Sequence, residues 1–222
     1  MSPVLILRPE PGASETAARA ERMGLRTRRC PLFEARPVIW KEPSPQRFDA
    51  LLLTSAQAAR LAGPKLGLYR ALPAYAVGRA SAKALEARGF ADVVAGEQGG
   101  SAIAARIARD GHRRVLHLGG TTVARIDPGP LLIERIAVYT IGVKKDAGLE
   151  DALEPGAVLL VHSPRAGERV ARLIAPERRG SFHLVAISAA ALAACGAGWA
   201  SGEAPDTPDD ERMLALAARL CE

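Results

Sequence analysis

Short apolar runs alternate along the chain with longer segments in which apolar residues recur at helical spacing. Residues 51–53 and 158–161 contain only leucine and valine, as is typical of parallel strands covered on both faces. Helical spacing is found in the intervening segments 14–23, 81–88, 101–109 and 165–174. Strand–helix units repeated in this way predict an α/β fold built on open parallel sheets of the flavodoxin-like kind.

The C-terminal segment carries the clearest signal for the start of a helix. Thr207 is predicted to be the N-cap residue, Pro208 the first helical residue and Asp210 the capping-box partner. The acidic run 209–211 is interpreted as charge that favours the first helical turn. Apolar residues then recur on one face: Met213, Leu216, Ala217 and Leu220.

Four segment pairs repeat in the same order. "VLILRP" near the N-terminus resembles "VLHLGG" in the middle of the chain, and the strand–serine–helix pattern at Ser55 returns at Ser163. "AVGRASAKALEARGF" aligns with "AISAAALAACGAGW", which places Ser188 opposite Gly78, and the β-rich runs "LFEARPVI" and "IAVYTIGV" complete the set. The constant order predicts an internal duplication, with two halves and a ligand bound between them.

The two copies differ in one element. "VLILRP" is followed by room for a helix of about three turns, whereas residues 119–131 leave little room and contain "DPGP". Proline lacks the backbone donor and clashes with the preceding helical turn, so this segment is not expected to be helical. The second copy is predicted to have lost or shortened this helix.

Length and composition restrict the class of protein. The 222 residues suffice for one large domain or two smaller ones, and the stretches 41–47 and 144–148 are interpreted as joints. No apolar run approaches the length of a membrane span, and the N-terminus does not have the pattern of a signal peptide. The three cysteines have no metal-ligand spacing, so we expect reduced thiols and a cytoplasmic location.

The net charge of +6 suits an acidic partner, either nucleic acid or a polyanionic small molecule. Aromatic residues make up only 4% of the chain and no lysine-rich run is present, which disfavours nucleic acid. The sequence contains no phosphate-binding loop, dinucleotide fingerprint or nucleophile elbow. Its four histidines are scattered, and His117 and His162 are interpreted as satisfied residues in or near strands.

Ligands of open α/β folds bind beyond the C-terminal ends of the strands. Helix N-termini at such positions offer backbone N–H groups to carboxylates or phosphates, although each hydroxyl residue could equally be a simple N-cap. The candidate binding residues at the predicted strand ends are small, hydroxylic or basic: Arg8, Thr54, Ser55, Gly78, Arg79, Ser81, Gly119, Gly120, Ser163, Arg165 and Ser188.

Taken in order, "LLLTSAQAARL", "YAVGRASAKALEARGF", "AVYTIG", "VLLVHSPRAGERVARL" and "VAISAAALAACGAGW" resemble the uroporphyrinogen-III synthase family nearly end to end. The resemblance implies two α/β domains, one formed by residues 1–30 and 146–222 and the other by 41–131. The segments 31–40 and 132–145 would be the two linker strands. It implies a cofactor-independent lyase that expels water from hydroxymethylbilane, inverts ring D and closes the macrocycle to uroporphyrinogen III in heme biosynthesis.

The resemblance also implies a candidate acid, Tyr139, in the "VY" linker strand, although a half-buried strand aromatic would look the same. This sequence departs from the family's pattern at Ser81, where a threonine is usual, and at Ser188, where a glycine is usual. At Ser188 we therefore expect a weaker substrate contact, or one made by the serine hydroxyl instead. The expected partner is the small-molecule substrate, bound by a monomer that contacts the preceding hydroxymethylbilane synthase transiently, with no nucleic acid or membrane.

Two other functions fit the same residues. A two-domain clamp could sense a tetrapyrrole or another polyanion without turning it over, and the eroded second copy favours this alternative. A periplasmic-type binding protein would also have two halves, but the missing signal-peptide pattern disfavours it.

Overall fold

Two mainly parallel sheets organise the chain, which the computed structural model describes over residues 2–96 and 98–221. The chain divides into two compact units, unit 1 (Met1–Glu34 with Val143–Glu222) and unit 2 (Ala35–Gly142). The first four elements are β1 (Val4–Ile6), α1 (Gly12–Arg22), β2 (Thr27–Arg29) and β3 (Phe33–Pro37). Unit 2 continues with β4 (Ala50–Leu53), α2 (Ala56–Leu61), β5 (Ala74–Val77), α3 (Arg79–Glu86), β6 (Val93–Gly96), α4 (Gly100–Arg109), β7 (Arg114–Gly120) and β8 (Leu132–Val143), with 3₁₀ turns at Pro45–Arg47 and Pro64–Tyr69. The remainder of unit 1 comprises α5 (Leu149–Ala152), β9 (Val158–Val161), α6 (Pro164–Leu173), α7 (Pro176–Arg179), β10 (His183–Ala186), α8 (Ala189–Ala193), β11 (Ser201–Glu203) and α9 (Asp210–Cys221).

Unit 1 contains a five-stranded sheet in the order β11-β10-β9-β1-β2, with every neighbouring pair parallel. Val4 and Ile6 of β1 pack with apolar residues of both α1 and α9 in one core. On α6, a side chain at Gly167 would lie 2.7 Å from the Ala191 carbonyl oxygen of α8, so glycine permits these two helices to approach closely.

Unit 2 contains a six-stranded sheet in the order β3-β8-β7-β4-β5-β6. The pairs among β8, β7, β4, β5 and β6 are parallel. Helices α2 and α3 lie over one face, which buries Leu51 and Leu53, and α4 lies over the other, which buries Leu52. Both faces of the central strands are therefore covered, as their uninterrupted apolar runs predict.

The strand order repeats between the units. In unit 1, β9 lies between β1 and β10, and in unit 2, β4 lies between β7 and β5. The first strands of the two copies are β1 and β7. Ile6 of β1 pairs in parallel with Leu160 of β9, and His117 of β7 pairs in parallel with Leu52 of β4. This order agrees with the duplication that the segment pairs predict.

Four sequence-predicted helices are confirmed as α1, α3, α4 and α6, with ends within two residues of those expected. The expected loss of a helix in the second copy is also confirmed. Residues 121–131 connect β7 to β8 without a helix, whereas α1 stands between β1 and β2.

The predicted start of the last helix is wrong. Helix α9 begins at Asp210, and Asp209 caps it by accepting a hydrogen bond from the Arg212 N–H at 2.8 Å. Aspartate is a stronger N-cap residue than threonine. Asp209 also lies closer in sequence than Thr207 to the first residue of the apolar face of α9. Asp210 is consequently not a capping-box partner.

Candidate active site

The C-terminal edge of the unit 2 sheet brings most of the predicted site residues together. Since β4, β5 and β7 are parallel neighbours, the residues that follow them lie at one edge. They are Thr54 and Ser55 after β4, Gly78 and Arg79 after β5, and Gly119 and Gly120 at the end of β7. The edge is thus lined by glycines, hydroxyls and one exposed arginine.

Gly78 and Ser55 begin their helices differently. Gly78 has φ 77° and ψ 154°, a conformation that a side chain strongly disfavours, and it leaves the first amides of α3 without a side-chain cap. Ser55 is extended and accepts a hydrogen bond from the Gln57 N–H at 3.2 Å. Ser81 lies on the covered side of α3, where it is 4% exposed.

Tyr139 lies beside this edge because β8 pairs with the end of β7. Gly120 is the partner of Tyr139, immediately after a register shift in the β7–β8 ladder. A side chain at Gly120 would lie 3.0 Å from Cζ and 3.2 Å from the hydroxyl oxygen of Tyr139. Glycine at 120 therefore lets the phenol ring lie close against the strand end.

His117 links two strands beneath the same edge. Its Nε2 is hydrogen-bonded to Thr54 Oγ1 at 3.1 Å, and the residue is 1% exposed. Burial, together with the positive charge of Arg135, lowers the pKa of His117 to about 4. The ring is consequently uncharged at neutral pH, and the expectation of a satisfied strand histidine is confirmed.

Acidification is expected to destabilise the chain through His117. The pKa of His117 rises from about 4 in the folded chain to its ordinary 6.5 on unfolding, so the unfolded chain binds more protons between these values. The free energy of unfolding should fall as the pH is lowered through this window and should not change through His117 above it. Urea titrations across the window should show a weaker fall in His117→Gln than in wild type. His112→Gln is the control. If it weakens the pH dependence of the free energy of unfolding as much as His117→Gln does, the assignment to His117 is contradicted.

Unit 1 presents the corresponding edge at the ends of β1, β9 and β10. Ser163 caps α6 by accepting from the Ala166 N–H at 3.2 Å, and Ser188 caps α8 by accepting from the Ala191 N–H at 3.3 Å. Ser188 has φ −159°, an extended conformation open to any residue, so the second copy replaces the glycine entry of α3 by a capped helix. Arg165 lies over the Phe33 ring, 4.4 Å from its centroid.

Sequence reasoning missed a cluster around Asp210. Its carboxylate accepts hydrogen bonds from Thr16 Oγ1 at 2.9 Å, Arg19 Nε at 3.0 Å and His162 Nε2 at 2.7 Å. The predicted site residue Arg8 also reaches it, at 3.4 Å. Burial alone would raise the pKa of Asp210, but the hydrogen bonds from His162, Arg19 and Thr16 hold it well below its usual range.

The repeat offered a signal for this cluster. His162 directly follows β9 and Thr54 directly follows β4, so the histidine occupies the position that Thr54 has in the other copy. Two adjacent aspartates stand at the start of α9. Because a helix needs only one N-cap residue, the other aspartate is a second signal. Neither signal identifies the partners, because Thr16 and Arg19 lie about 190 residues away in sequence.

Among residues 2–96 and 98–221, no group of three or more histidines, cysteines and acidic residues is placed to hold a metal ion. No helix within the same residues is both long and apolar enough to cross a membrane.

Two sheets of mainly parallel strands with helices packed on them define an α/β protein. A family model described as uroporphyrinogen-III synthase HemD matches residues 14–215, and the chain belongs to this family. It is a cofactor-independent cyclising lyase that forms uroporphyrinogen III from hydroxymethylbilane in heme biosynthesis.

Solved structures of Thermus thermophilus uroporphyrinogen III synthase are similar over the whole chain. A mutant form of that protein is 15% identical with a TM-score of 0.47, covering 100% of this chain and 99% of that one. The wild-type form is 17% identical with a TM-score of 0.45, covering 100% and 98%. A comparison with curated proteins finds no match.

Proposed function

We propose that the chain directs ring-D inversion by holding hydroxymethylbilane in a folded conformation at the strand ends, with Tyr139 as the proton donor. The observation that carries this proposal is the packing of Tyr139 against Gly120, at the edge that also presents Thr54, Ser55 and Gly78. The phenol ring packs against Gly120 at this strand end, and Tyr139 is 7% exposed.

Departure of the substrate's hydroxymethyl oxygen as water leaves an azafulvene. A phenol hydrogen-bonded to that oxygen supplies the proton that departure requires. The substituted carbon of ring D then attacks to form a spiro-pyrrolenine, which rearranges to uroporphyrinogen III, and the proton that ring D loses as it becomes aromatic again restores the phenol. Free hydroxymethylbilane closes without rearrangement to isomer I, so the protein must favour spiro attack by orientation and stabilise the charge that develops.

The substrate carries carboxylates on every ring, and the proposed contacts are spread over many positions. They are residues at the strand ends and helix starts of the two units, of which Ser81 is buried: Arg8, Thr54, Ser55, Gly78, Arg79, Ser81, Gly119, Gly120, Ser163, Arg165 and Ser188. Support comes from the net charge of +6 and from α3, whose first amides have no side-chain cap.

The proposed architecture is two flavodoxin-like domains joined by linker strands at 31–40 and 132–145. The domains comprise residues 1–30 with 146–222, and 41–131. The order β2-β1-β9-β10-β11 supports it, since this is the flavodoxin order of a parallel sheet. The Val38 N–H donates to the Val138 carbonyl and the Lys144 N–H donates to the Leu32 carbonyl, so the proposed linkers pair antiparallel.

We further propose a cytoplasmic monomer that receives hydroxymethylbilane by transient contact with hydroxymethylbilane synthase. The chemistry of the substrate supports this contact, because free hydroxymethylbilane is lost to isomer I while it diffuses.

The function is tested by supplying freshly generated hydroxymethylbilane, oxidising the products and separating the porphyrin isomers by chromatography. Isomer III in excess of isomer I, formed faster than without protein, is the expected result. Isomer I alone at the spontaneous rate would overturn the proposal and leave the non-catalytic clamp.

Single alanine substitutions at Thr54, Ser55 or Ser163 are expected to have small effects. If substrate binding is spread over many donors, each substitution should raise the activation free energy derived from kcat/KM by about 0.5–1.5 kcal/mol. This is the usual net value of one hydrogen bond. Thr140→Ala, which removes a hydroxyl hydrogen-bonded to Thr121, is the matched control. A loss of several thousandfold at any one of the three positions would show that a single side chain dominates.

A further inference from the structure

The first half of β8 forms an open edge of the unit 2 sheet. Strand β8 has 12 residues, whereas its outer neighbour β3 has five and ends at Pro37. One residue later the Val38 N–H donates to the Val138 carbonyl. The segment Leu132–Ile136, called here the β8 edge, pairs with β7 on one side. On its other side no strand within residues 2–96 and 98–221 pairs with it.

The register turns the backbone groups of two residues outward along the β8 edge. Leu132 pairs with Arg114, and its N–H donates to the Arg113 carbonyl at 2.8 Å. Residues that bond one neighbouring strand alternate along a parallel ladder with residues whose backbone groups face the opposite side. The N–H and C=O groups of Ile133 and Arg135 therefore point away from β7. A row of such open donors and acceptors is what an added strand binds.

Side chains from both faces of the sheet border the β8 edge. Leu132 and Glu134 lie on the face that carries α2 and α3, whereas Ile133 and Arg135 lie on the face that carries α4. Leu132 is 71% exposed. A strand added at the edge has alternate side chains on the same two faces, so it would contact both sets and cover Leu132.

Arginines flank the β8 edge on both faces. Arg47, which bonds Glu134 at 2.7 Å, and Arg125, in the connection between β7 and β8, border one groove with residues 131–135. The lining of this groove has four arginines and a single carboxylate, that of Glu134. Within residues 2–96 and 98–221, Arg125 pairs with no carboxylate, and Arg135 donates to backbone carbonyls.

The surplus positive charge selects the occupant. An acidic segment would meet complementary charge along the whole edge. The isologous contact of a second copy would instead bring the same arginines against one another.

We propose that the β8 edge binds an acidic, extended segment of another protein as an added strand. The segment continues the line of β3 and exchanges backbone hydrogen bonds with Ile133 and Arg135. Its carboxylates face Arg47 on one face of the sheet and Arg125 on the other. The edge spans about 16 Å, which corresponds to about five residues of the partner. This interaction does not depend on the proposed synthase mechanism.

The test uses the full chain and a fluorescein-labelled peptide of about eight residues, with glutamates and valines arranged in pairs. Each face of the extended peptide then carries both residue types. Fluorescence polarisation should detect binding. Two further peptides carry N-methyl groups on alternate backbone nitrogens, one on the odd and one on the even positions. Because only one edge of the peptide faces β8, one of them should bind at least about tenfold more weakly and the other should change less than about twofold.

The charge contribution is tested separately with protein variants. Arg125→Glu should raise the Kd of the unmethylated peptide at least about tenfold. Arg109→Glu, an exposed position of unit 2 outside the groove lining, is the matched control and should change the Kd less than about twofold. The same peptide with lysines in place of the glutamates should not bind.

Three results would overturn the proposal. The first is no binding of the acidic peptide, or equal Kd values for the two methylated peptides, since strand addition requires one particular edge. The second is a dimer in sedimentation that Leu132→Asp dissociates, because the occupant would then be a second copy. The third is displacement of the peptide by free uroporphyrin with the same sensitivity to Arg125→Glu, which would make the groove a small-molecule site.

Discussion

Replacing Asp210 by asparagine is expected to lower the free energy of unfolding by about 2–4 kcal/mol at neutral pH. The substitution leaves Arg8, Arg19 and His162 clustered without their shared carboxylate, and removal of one partner from a buried ion pair typically costs about 3–5 kcal/mol. The two arginines are about one-third exposed, so solvent screening reduces that value. Urea unfolding of both proteins at pH 7 measures the difference.

The neighbouring residue provides the control. Asp209→Asn makes the same chemical change one position earlier, and asparagine caps a helix about as well as aspartate, so its effect should stay below about 0.5 kcal/mol. Because the pKa of Asp210 is depressed in the folded chain, its contribution is fully present above the ordinary carboxyl pKa and is lost as the pH falls below it. The difference in free energy of unfolding between wild type and Asp210→Asn should therefore become smaller at acidic pH. Equal stabilities of the two asparagine variants at pH 7 would refute the role of Asp210.

Tyr139→Phe is expected to lower kcat by up to about a hundredfold while the product remains isomer III. General acid catalysis is typically worth about 10²–10⁴-fold, and a leaving group that departs readily from free hydroxymethylbilane places the effect at the low end. Phenylalanine keeps the ring that packs against Gly120, so substrate affinity and stability should change little. Turnover and isomer ratio are measured together on freshly generated substrate.

Tyr75→Phe is a suitable control, because that buried phenol is bonded to Asp110 and lies outside the proposed site. If Tyr139→Phe turns over at the parent rate, the tyrosine is a packing residue and catalysis rests on orientation alone. If the variant releases isomer I, the phenol positions ring D rather than donating a proton.

The apolar pattern predicted most of the secondary structure because the pattern and the fold depend on the same local physics. Leucine runs at β4 and β9 are uninterrupted because helices cover both faces of those strands, and the "DPGP" segment cannot continue a helix. The start of α9 was missed because Thr207 and Asp209 both satisfy the rules for an N-cap. The ranking of aspartate above threonine favours Asp209 only slightly, and the hydrogen bond from the Arg212 N–H identifies it as the cap.

The strand-end residues could be predicted as a set, since parallel strands end at a common edge. The contacts of each individual residue could not be predicted. The approach of Tyr139 to Gly120 depends on a register shift between β7 and β8, which leaves no mark in either segment. The bond between Thr54 and His117 joins residues 63 positions apart, and no local pattern encodes that pairing.

Unit 1 is built from both ends of the chain, and this has a consequence during synthesis. Unit 2 is continuous in sequence, so all of its residues have been made once Gly142 is added. Unit 1 is not: β1 pairs with β2 and β9, and β9 is translated about 150 residues after β1. At roughly 5–20 residues per second, the N-terminal strand waits on the order of 10 s for its partner. During that interval Val4 and Ile6, which are fully buried in the finished protein, remain available to chaperones that bind exposed apolar segments.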